Sequence, residues 1–408
     1  GKTCRNDDSE RIEIMITFEE LAYLQSSEAQ ELIEKHIEEE PLRLAMKGIP
    51  APVCTQIKYL QKCKHKLPLY YTHRCIISPL SFEQSSSAAS ASSREYGGEL
   101  CVDLTCGLGC DALHFAKRFK RVIAVERDPV LAAIAKINFA RLGVGNIEVV
   151  NDDAEHFIAG YNGEKIDCIY IDPARRNAEK KVFLFQDCSP DVMSMLSLLC
   201  KMSRTLVIKA SPLFDVDEAF RLFDKCGGLA VETLSVDDEC KELLISIETD
   251  REYTKRSKVT IIRKGDIRKF FFNFEERKAM VSAIPGNDAV KYLLIPDVAF
   301  YKSRTIPDLM SCYFPGIEYS FLAEAGIVLT ADNPDCFPGK VYAVLAEMPY
   351  KPKRIKAYLK SEGIVRATLL KRGFPLQPGQ ARKILGLKEG DDAVIVLAEN
   401  TFFHVNPL

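Results

Sequence analysis

Two periodicities alternate through the middle of the chain. Short apolar runs at 100–103, 121–126, 146–151 and 166–171 have the length and bounds of buried strands, while 112–119, 129–142 and 190–202 carry apolar residues at helical spacing. Such alternation predicts an α/β fold with a parallel sheet, right-handed crossovers and ligands at the carboxyl ends of the strands. Residues 205–212 read as a fifth strand, and 229–235 with 242–248 as a closing pair across the acidic turn Asp237-Asp238-Glu239. The layered domain is therefore expected to end near residue 250. Before it, 18–47 hold helical runs, and Pro50, Pro52 and Pro68 break the region that follows. After it, 258–263 is a strand, and the chain to about 330 mixes short strands with helical pieces. From 341 the order is regular again, with strands at 342–346, 367–372 and 392–397 and helices at 352–359 and 378–385. The expected divisions are an N-terminal helical segment (1–80), the α/β domain (81–250), a small ferredoxin-like α+β domain (251–335) and a C-terminal module (336–408).

The chemistry clusters at the predicted strand ends. Asp103 closes the first strand, Gly107-Leu108-Gly109 follows, and a helix opens with Cys110-Asp111. Two glycines would let a ligand lie directly on the backbone, where a Cβ would collide. Glu126 ends the second strand, where an acid is placed to accept hydrogen bonds from two ribose hydroxyls. Asp152-Asp153-Ala154 follows the third strand, and the fourth runs straight into Asp172-Pro173-Ala174-Arg175. The stretch Gly107–Ala112 also fits Gly-x-Gly-x-x-Ala, so a nicotinamide dinucleotide competes for the loop. Asp103 argues against it, because a carboxylate there attracts an ammonium group and repels a pyrophosphate. Hydride transfer also has no need of Asp-Pro-Ala-Arg.

Together these residues resemble the class I S-adenosylmethionine-dependent methyltransferases, whose fold is Rossmann-like with a mostly parallel seven-stranded sheet. Their first motif, Asp/Glu-x-x-x-Gly-x-Gly, is matched by Asp103, Gly107 and Gly109. The resemblance implies that this loop holds the amino-acid part of S-adenosylmethionine, Glu126 the ribose and Asp153 the adenine edge. Thr105, Asp111, Arg127 and Ala154 complete the expected cofactor set. The serine-rich stretch 83–93 has the composition of a linker. It is read here instead as a short serine-capped helix across the cofactor, with Gln84 and Ser85 as contacts. On the target side, Asp172, Pro173 and Arg175 are the expected catalytic residues. Related enzymes that modify exocyclic amines carry Asn/Asp-Pro-Pro-Tyr, so Ala174 and Arg175 depart from that pattern. Arg175 and Arg176 would hold an anionic group of the substrate or form a structural ion pair. Enzymes that methylate pyrimidine carbon 5 need a cysteine after the fifth strand. The segment Lys209-Ala210-Ser211-Pro212 has none, and Cys188 is the nearby thiol.

The C-terminal module resembles the THUMP-like domains appended to a group of class I methyltransferases, through Leu370-Lys-Arg-Gly-Phe-Pro375 and the upstream segments Lys66-Leu-Pro68 and Glu83–Ser87. True THUMP domains are RNA-binding modules, so tRNA or rRNA is the partner implied, with a base nitrogen as target. A small-molecule or protein methyltransferase, or a noncatalytic RNA-binding protein, are the alternatives. Charge supports the RNA reading. Residues 251–408 carry 25 Lys+Arg against 17 Asp+Glu, leaving 30 against 40 for residues 1–250, so an overall charge of −2 hides a basic C-terminal part. A chain with 47% hydrophobic and 27% charged residues is built to fold. It has no apolar run near the ~20 residues that cross a bilayer and no signal-peptide pattern. Fourteen cysteines show neither Cys-x-x-Cys nor zinc-ligand spacing, so no metal is expected and reduced thiols in the cytoplasm are the simplest account.

Overall fold

The computed structural model describes residues 16–175, 185, 188–224, 226–273 and 290–408, the side chain of Arg175 excepted. These divide into two compact units. One takes the chain through Val236 together with Lys241–Lys255 and Ile262–Ile267; the other takes Asp237–Cys240, Arg256–Ile261 and Arg268–Leu408.

The central strands are β1 (Gly98–Asp103), β2 (Phe119–Glu126), β3 (Ile147–Asn151) and β4 (Ile166–Ile171). A two-residue antiparallel pair follows, β5 (Ala174–Arg175) with β6 (Cys188–Ser189). Next come β7 (Ser203–Ala210), β8 (Gly228–Val236), β9 (Glu239–Glu248), β10 (Thr254–Arg263) and β11 (Asp266–Asn273). Their order in the sheet is β11-β10-β8-β9-β7-β4-β1-β2-β3. The seven strands from β8 to β3 make the expected Rossmann-like sheet. Strands β3, β2, β1, β4 and β7 run parallel, and β9 pairs antiparallel with β7.

Strands covered on both faces read as continuous β-branched and aliphatic runs, as Val122-Ile123-Ala124-Val125 and Leu206-Val207-Ile208 do, all buried. Between β8 and β9, Asp237 and Asp238 both take positive φ, +48° and +67°. Aspartate tolerates that region, and two such residues give the turn whose twist suits a hairpin. The helix expected at 112–119 ends at Phe115 instead, because buried Phe119 already pairs with Gly98 as the first residue of β2.

Helices at Phe18–Leu24, Ser27–His36, Pro41–Met46, Ala51–Lys66 and Pro68–Thr72 precede the sheet. Their apolar faces share one core with Leu108, Cys110 and Ile134 of the layered domain. Asn138, fully buried on helix Pro129–Arg141, clasps the backbone that follows them. It accepts from Ile76 N–H and donates to Ile76 C=O, each at 2.8 Å. The serine-rich stretch is helical at Pro79–Gln84 and Ala88–Ser92, and Ser87 caps the second piece by accepting from Ser90 N–H.

The second unit holds β12 (Tyr292–Pro296), β13 (Tyr319–Leu322), β14 (Ile327–Thr330), β15 (Gly339–Pro349), β16 (Arg366–Arg372), β17 (Lys388–Ala398) and β18 (Thr401–Pro407) in the order β13-β14-β12-β15-β18-β17-β16. Helices Pro352–Ser361 and Pro378–Leu385 bury Ile355, Leu359, Ala381 and Leu385 with Leu369, Ile395 and Leu397 of the sheet. A boundary was expected at 335, yet β12 pairs directly with β15, so both expected segments contribute to one sheet. No helix among the described residues is long and apolar enough to cross a membrane.

Candidate active site

A cleft of about 740 Å³ opens at the carboxyl ends of β1, β2, β4 and β7. Its lining includes Gln84, Ser85, Thr105, Gly107, Asp111, Glu126, Arg127, Asp153, Ala154, Asp172 and Pro173, gathering most of the residues singled out by sequence.

At the glycine loop the two glycines do different work. Gly107 takes φ +56°, a Cβ added there would meet almost nothing, and it lines the cleft, so a ligand can lie on its backbone. Gly109, at φ +81°, is required by packing instead: an added Cβ would drive into the ring of Phe139. Glu126 is buried at the tip of β2 with one carboxylate oxygen on Gly107 N–H, 2.8 Å, and the other on Asp128 N–H, 2.9 Å. Both oxygens are thereby aimed, and each retains a lone pair for a ribose hydroxyl. Burial pushes the Glu126 carboxyl upward.

Asp103 is also buried. Its Oδ1 accepts from Thr105 N–H at 3.0 Å, while Oδ2 has no hydrogen-bond partner. Desolvation, with Asp111 next, raises its carboxyl to about 8. A buried, unpartnered carboxylate oxygen beside a glycine loop suits an ammonium group, which is what the amino-acid part of S-adenosylmethionine presents. The donor set therefore fits that cofactor. Asp153 caps helix Ala154–Gly160 by accepting from His156 N–H, 2.7 Å, and Arg127 donates to Ser189 Oγ, 3.2 Å.

The Asp172 end of the cleft is held by a network that the motifs did not reveal. Lys209, at the end of β7, donates to Asp172 Oδ2 at 2.6 Å and to Ser86 Oγ at 3.1 Å. Fully buried Arg94 pairs with Asp111 and, at 2.9 Å, with Glu242 of β9. Asp111 Oδ2 accepts from Ser86 Oγ–H, 2.9 Å, and from Tyr170 O–H, 3.1 Å. Asp111 thus spends its carboxylate on Arg94 and its neighbours, although it was expected in the cofactor set. Burial works against every charge here. For Lys209 the carboxylates of Asp172, Glu242 and Asp111 outweigh it and hold the ammonium well above the ordinary lysine range. For Asp111, Arg94 and Lys209 likewise win over desolvation and hold the carboxyl low. Thr105 joins the two ends of the cleft: its Oγ1 accepts from Asp172 N–H at 2.8 Å.

Arg175 pairs through its backbone with Cys188, while its side chain and residues 176–184, with Arg176, lie outside the described residues. Cys188 is fully buried. The cysteines that line the cleft are Cys106 and Cys110. Burial pushes both thiols up, Cys110 to about 12, so neither is a thiolate near neutral pH. Among the described residues no group of three His, Cys, Asp or Glu is arranged to hold a metal ion. In the sequence Lys209 falls within the fifth predicted strand, Glu242 opens the last one and Arg94 follows the serine-rich stretch, with nothing local to mark any of them.

Comparison with known proteins agrees with this geometry. Residues 101–184 match a methyltransferase domain family, and residues 339–404 match the family described as THUMP domain-like. The chain therefore carries a methyltransferase domain of the S-adenosylmethionine-dependent class and a THUMP-like domain. Among curated proteins it is 30% identical over 146 residues to a tRNA/tmRNA (uracil-C(5))-methyltransferase of Psychromonas ingrahamii, covering 30% of this chain and 39% of that protein. It is 28% identical over 129 residues to an uncharacterised S-adenosylmethionine-dependent methyltransferase of Mycobacterium tuberculosis, covering 32% and 34%. Over these curated relatives, then, the chain spans between about 31% and 45% of their length. The crystal structure of a proposed methyltransferase from Porphyromonas gingivalis W83 superposes with a TM-score of 0.77 at 22% identity, over 96% of this chain and 99% of that one, a likeness of fold.

Proposed function

We propose that the protein is an S-adenosylmethionine-dependent methyltransferase that modifies a nitrogen atom of RNA in the cytoplasm. The observation that carries this reading is Asp172, whose backbone N–H is tied through Thr105 Oγ1 to the glycine loop and which lines the same cleft as Glu126 and Gly107. Gly107 and Asp103 would hold the amino-acid part of the cofactor, Glu126 the ribose, and Asp153 with Ala154 the adenine, under Gln84 and Ser85. Bound there, S-adenosylmethionine supplies an electrophilic methyl group on a sulfonium. Asp172 accepts a hydrogen bond from the target nitrogen and fixes the direction of its lone pair, so catalysis comes mainly from orientation. Pro173 shapes the same wall, and Arg175 is proposed to hold an anionic part of the substrate.

RNA is supported by the names of the tRNA/tmRNA relatives, by the THUMP-like match and by the basic balance of residues 251–408. Carbon-5 methylation is disfavoured in spite of those names, because the cysteines lining this cleft are protonated and Ala210 ends β7.

Calorimetry with S-adenosylhomocysteine tests the cofactor. Wild type should bind about 10- to 100-fold more tightly than Glu126→Ala if two ribose hydrogen bonds are lost; equal affinity would overturn the assignment. Labelled methyl transfer to total RNA from a strain lacking the protein tests the substrate, and label in small molecules or protein alone would redirect it.

A further inference from the structure

The mechanism above leaves the cation at the head of β7 without a role. Lys209 Nζ stands 2.6 Å from Asp172 Oδ2, and both residues line the cleft. An acceptor and a donor are therefore side by side at the substrate end, as the oxygen and nitrogen of an asparagine amide are in one side chain. Such an amide reads adenine by pairing bidentately with the amino group and the neighbouring ring nitrogen. Order along the sheet gives the pair a direction. Strand β4 lies next to β1, and Asp172 is tied to the glycine loop by its bond to Thr105; β7, with Lys209, is one strand further away. Lys209 is in turn anchored by Ser86 Oγ at 3.1 Å and by Glu242 Oε2 at 3.9 Å, so its ammonium cannot swing freely.

We propose that Asp172 and Lys209 act together as a two-point reader, selecting a base edge on which an amino group adjoins a ring nitrogen acceptor, as in adenine and cytosine. The inference rests on the methyltransferase reading above. The amino group faces Asp172, on the side of the glycine loop, and the ring nitrogen takes a hydrogen bond from Lys209. Uracil offers the same pair an imide N–H flanked by carbonyl oxygens. That nitrogen carries one hydrogen, which must be lost before a lone pair is free in the ring plane. An amino nitrogen carries two, so it keeps one on Asp172 while its lone pair turns toward the methyl group. The nitrogen–carbon bond forms as the carbon–sulfur bond breaks with its electron pair left on sulfur. The nitrogen then sheds one proton, which Asp172 accepts and passes to water. A proton on a freshly alkylated aryl amine is strongly acidic, so a carboxylate suffices as base. Lys209 is thus a specificity-determining residue acting on the substrate edge.

Calorimetry of the protein saturated with S-adenosylhomocysteine, titrated with AMP, CMP and UMP, reads this selection directly. AMP or CMP should bind about tenfold or more tightly than UMP, the worth of one bidentate pair. Lys209→Met should erase that preference with S-adenosylhomocysteine affinity within about twofold, and Lys209→Arg, which keeps a donor, should restore part of it. Nucleoside analysis of methylated RNA should find the label on an amino nitrogen of adenosine or cytidine. Equal binding of UMP, no binding by any of the three, a preference that survives Lys209→Met, or label on uridine or a ring carbon overturns the proposal. The wild-type preference decides the matter even if Lys209→Met does not fold. Failure of the underlying methyltransferase reading looks different, since S-adenosylhomocysteine itself would then not bind.

Discussion

At the glycine-loop end of the cleft, the polar groups are backbone amides and carboxylates that close successive strands, each neighbour to the next in the chain. At the other end, two cations and three carboxylates from five separate segments (Arg94, Lys209, Asp111, Asp172 and Glu242) pair with one another. The first end is assembled by local rules. A strand tip, a turn and a helix start bring Glu126, Gly107 and Asp128 together wherever the rest of the chain goes. The second exists only when β4, β7, β9 and the Arg94 segment have all docked. One end can therefore be perturbed with local consequences, whereas the other responds as a unit.

The largest effect expected from that contrast is on stability. Arg94→Met leaves Asp111 and Glu242 buried without their guanidinium and should cost about 3–5 kcal/mol, seen as a lowered urea midpoint. A loss below about 1 kcal/mol would mean that these charges do not depend on one another. Next come the two glycines. Gly109→Ala should destabilise by about 1–3 kcal/mol through overpacking against Phe139, in addition to its left-handed backbone. Gly107→Ala should unfold more easily by about 1–2 kcal/mol from backbone alone but lose S-adenosylhomocysteine affinity disproportionately. Equal affinity losses in both variants would merge the two roles that the structure separates. The last test is in pH. Asp103, raised to about 8 in the fold, is protonated there at pH values where the unfolded chain already carries it ionised. Stability without cofactor should accordingly decline, from this group, as pH rises from about 4 toward 8. A ligand ammonium favours the ionised carboxyl, so S-adenosylhomocysteine should bind more tightly as pH rises toward 8, by at most about tenfold per unit, and level off above. Affinity that is flat across pH 6–8 in calorimetry would remove Asp103 from the ammonium site.

The same contrast explains what could be read from the chain. Asp103, Gly107, Glu126, Asp153 and Asp172 stand at strand ends, so periodicity alone locates them, and the structure brings Gly107, Glu126, Asp153 and Asp172 to one cleft. Asp111 shows the limit of that logic. Its position beside the glycine loop suggested a cofactor contact, but its orientation is set by Arg94, Ser86 and Tyr170, none of which the loop encodes. Lys209 and Glu242 read only as members of the fifth and last strands, and their meaning depends on β7 and β9 lying antiparallel and adjacent. The expected boundary at 335 missed for a similar reason. The pattern shows short strands before the boundary and a strand at 342–346 after it, but nothing local says that they pair.

The Asn138 clasp on Ile76 bears on how the chain can be cut. A fragment beginning at residue 81 would look complete by its motifs, with every residue of the glycine loop and the strand-four loop intact. It would nevertheless leave the amide of Asn138 facing solvent or apolar side chains, and it would strip the helices that cover Leu108, Cys110 and Ile134. A shorter piece should therefore keep the helices between residues 18 and 72 and the backbone at Ile76, with the cut chosen at the other end of the domain.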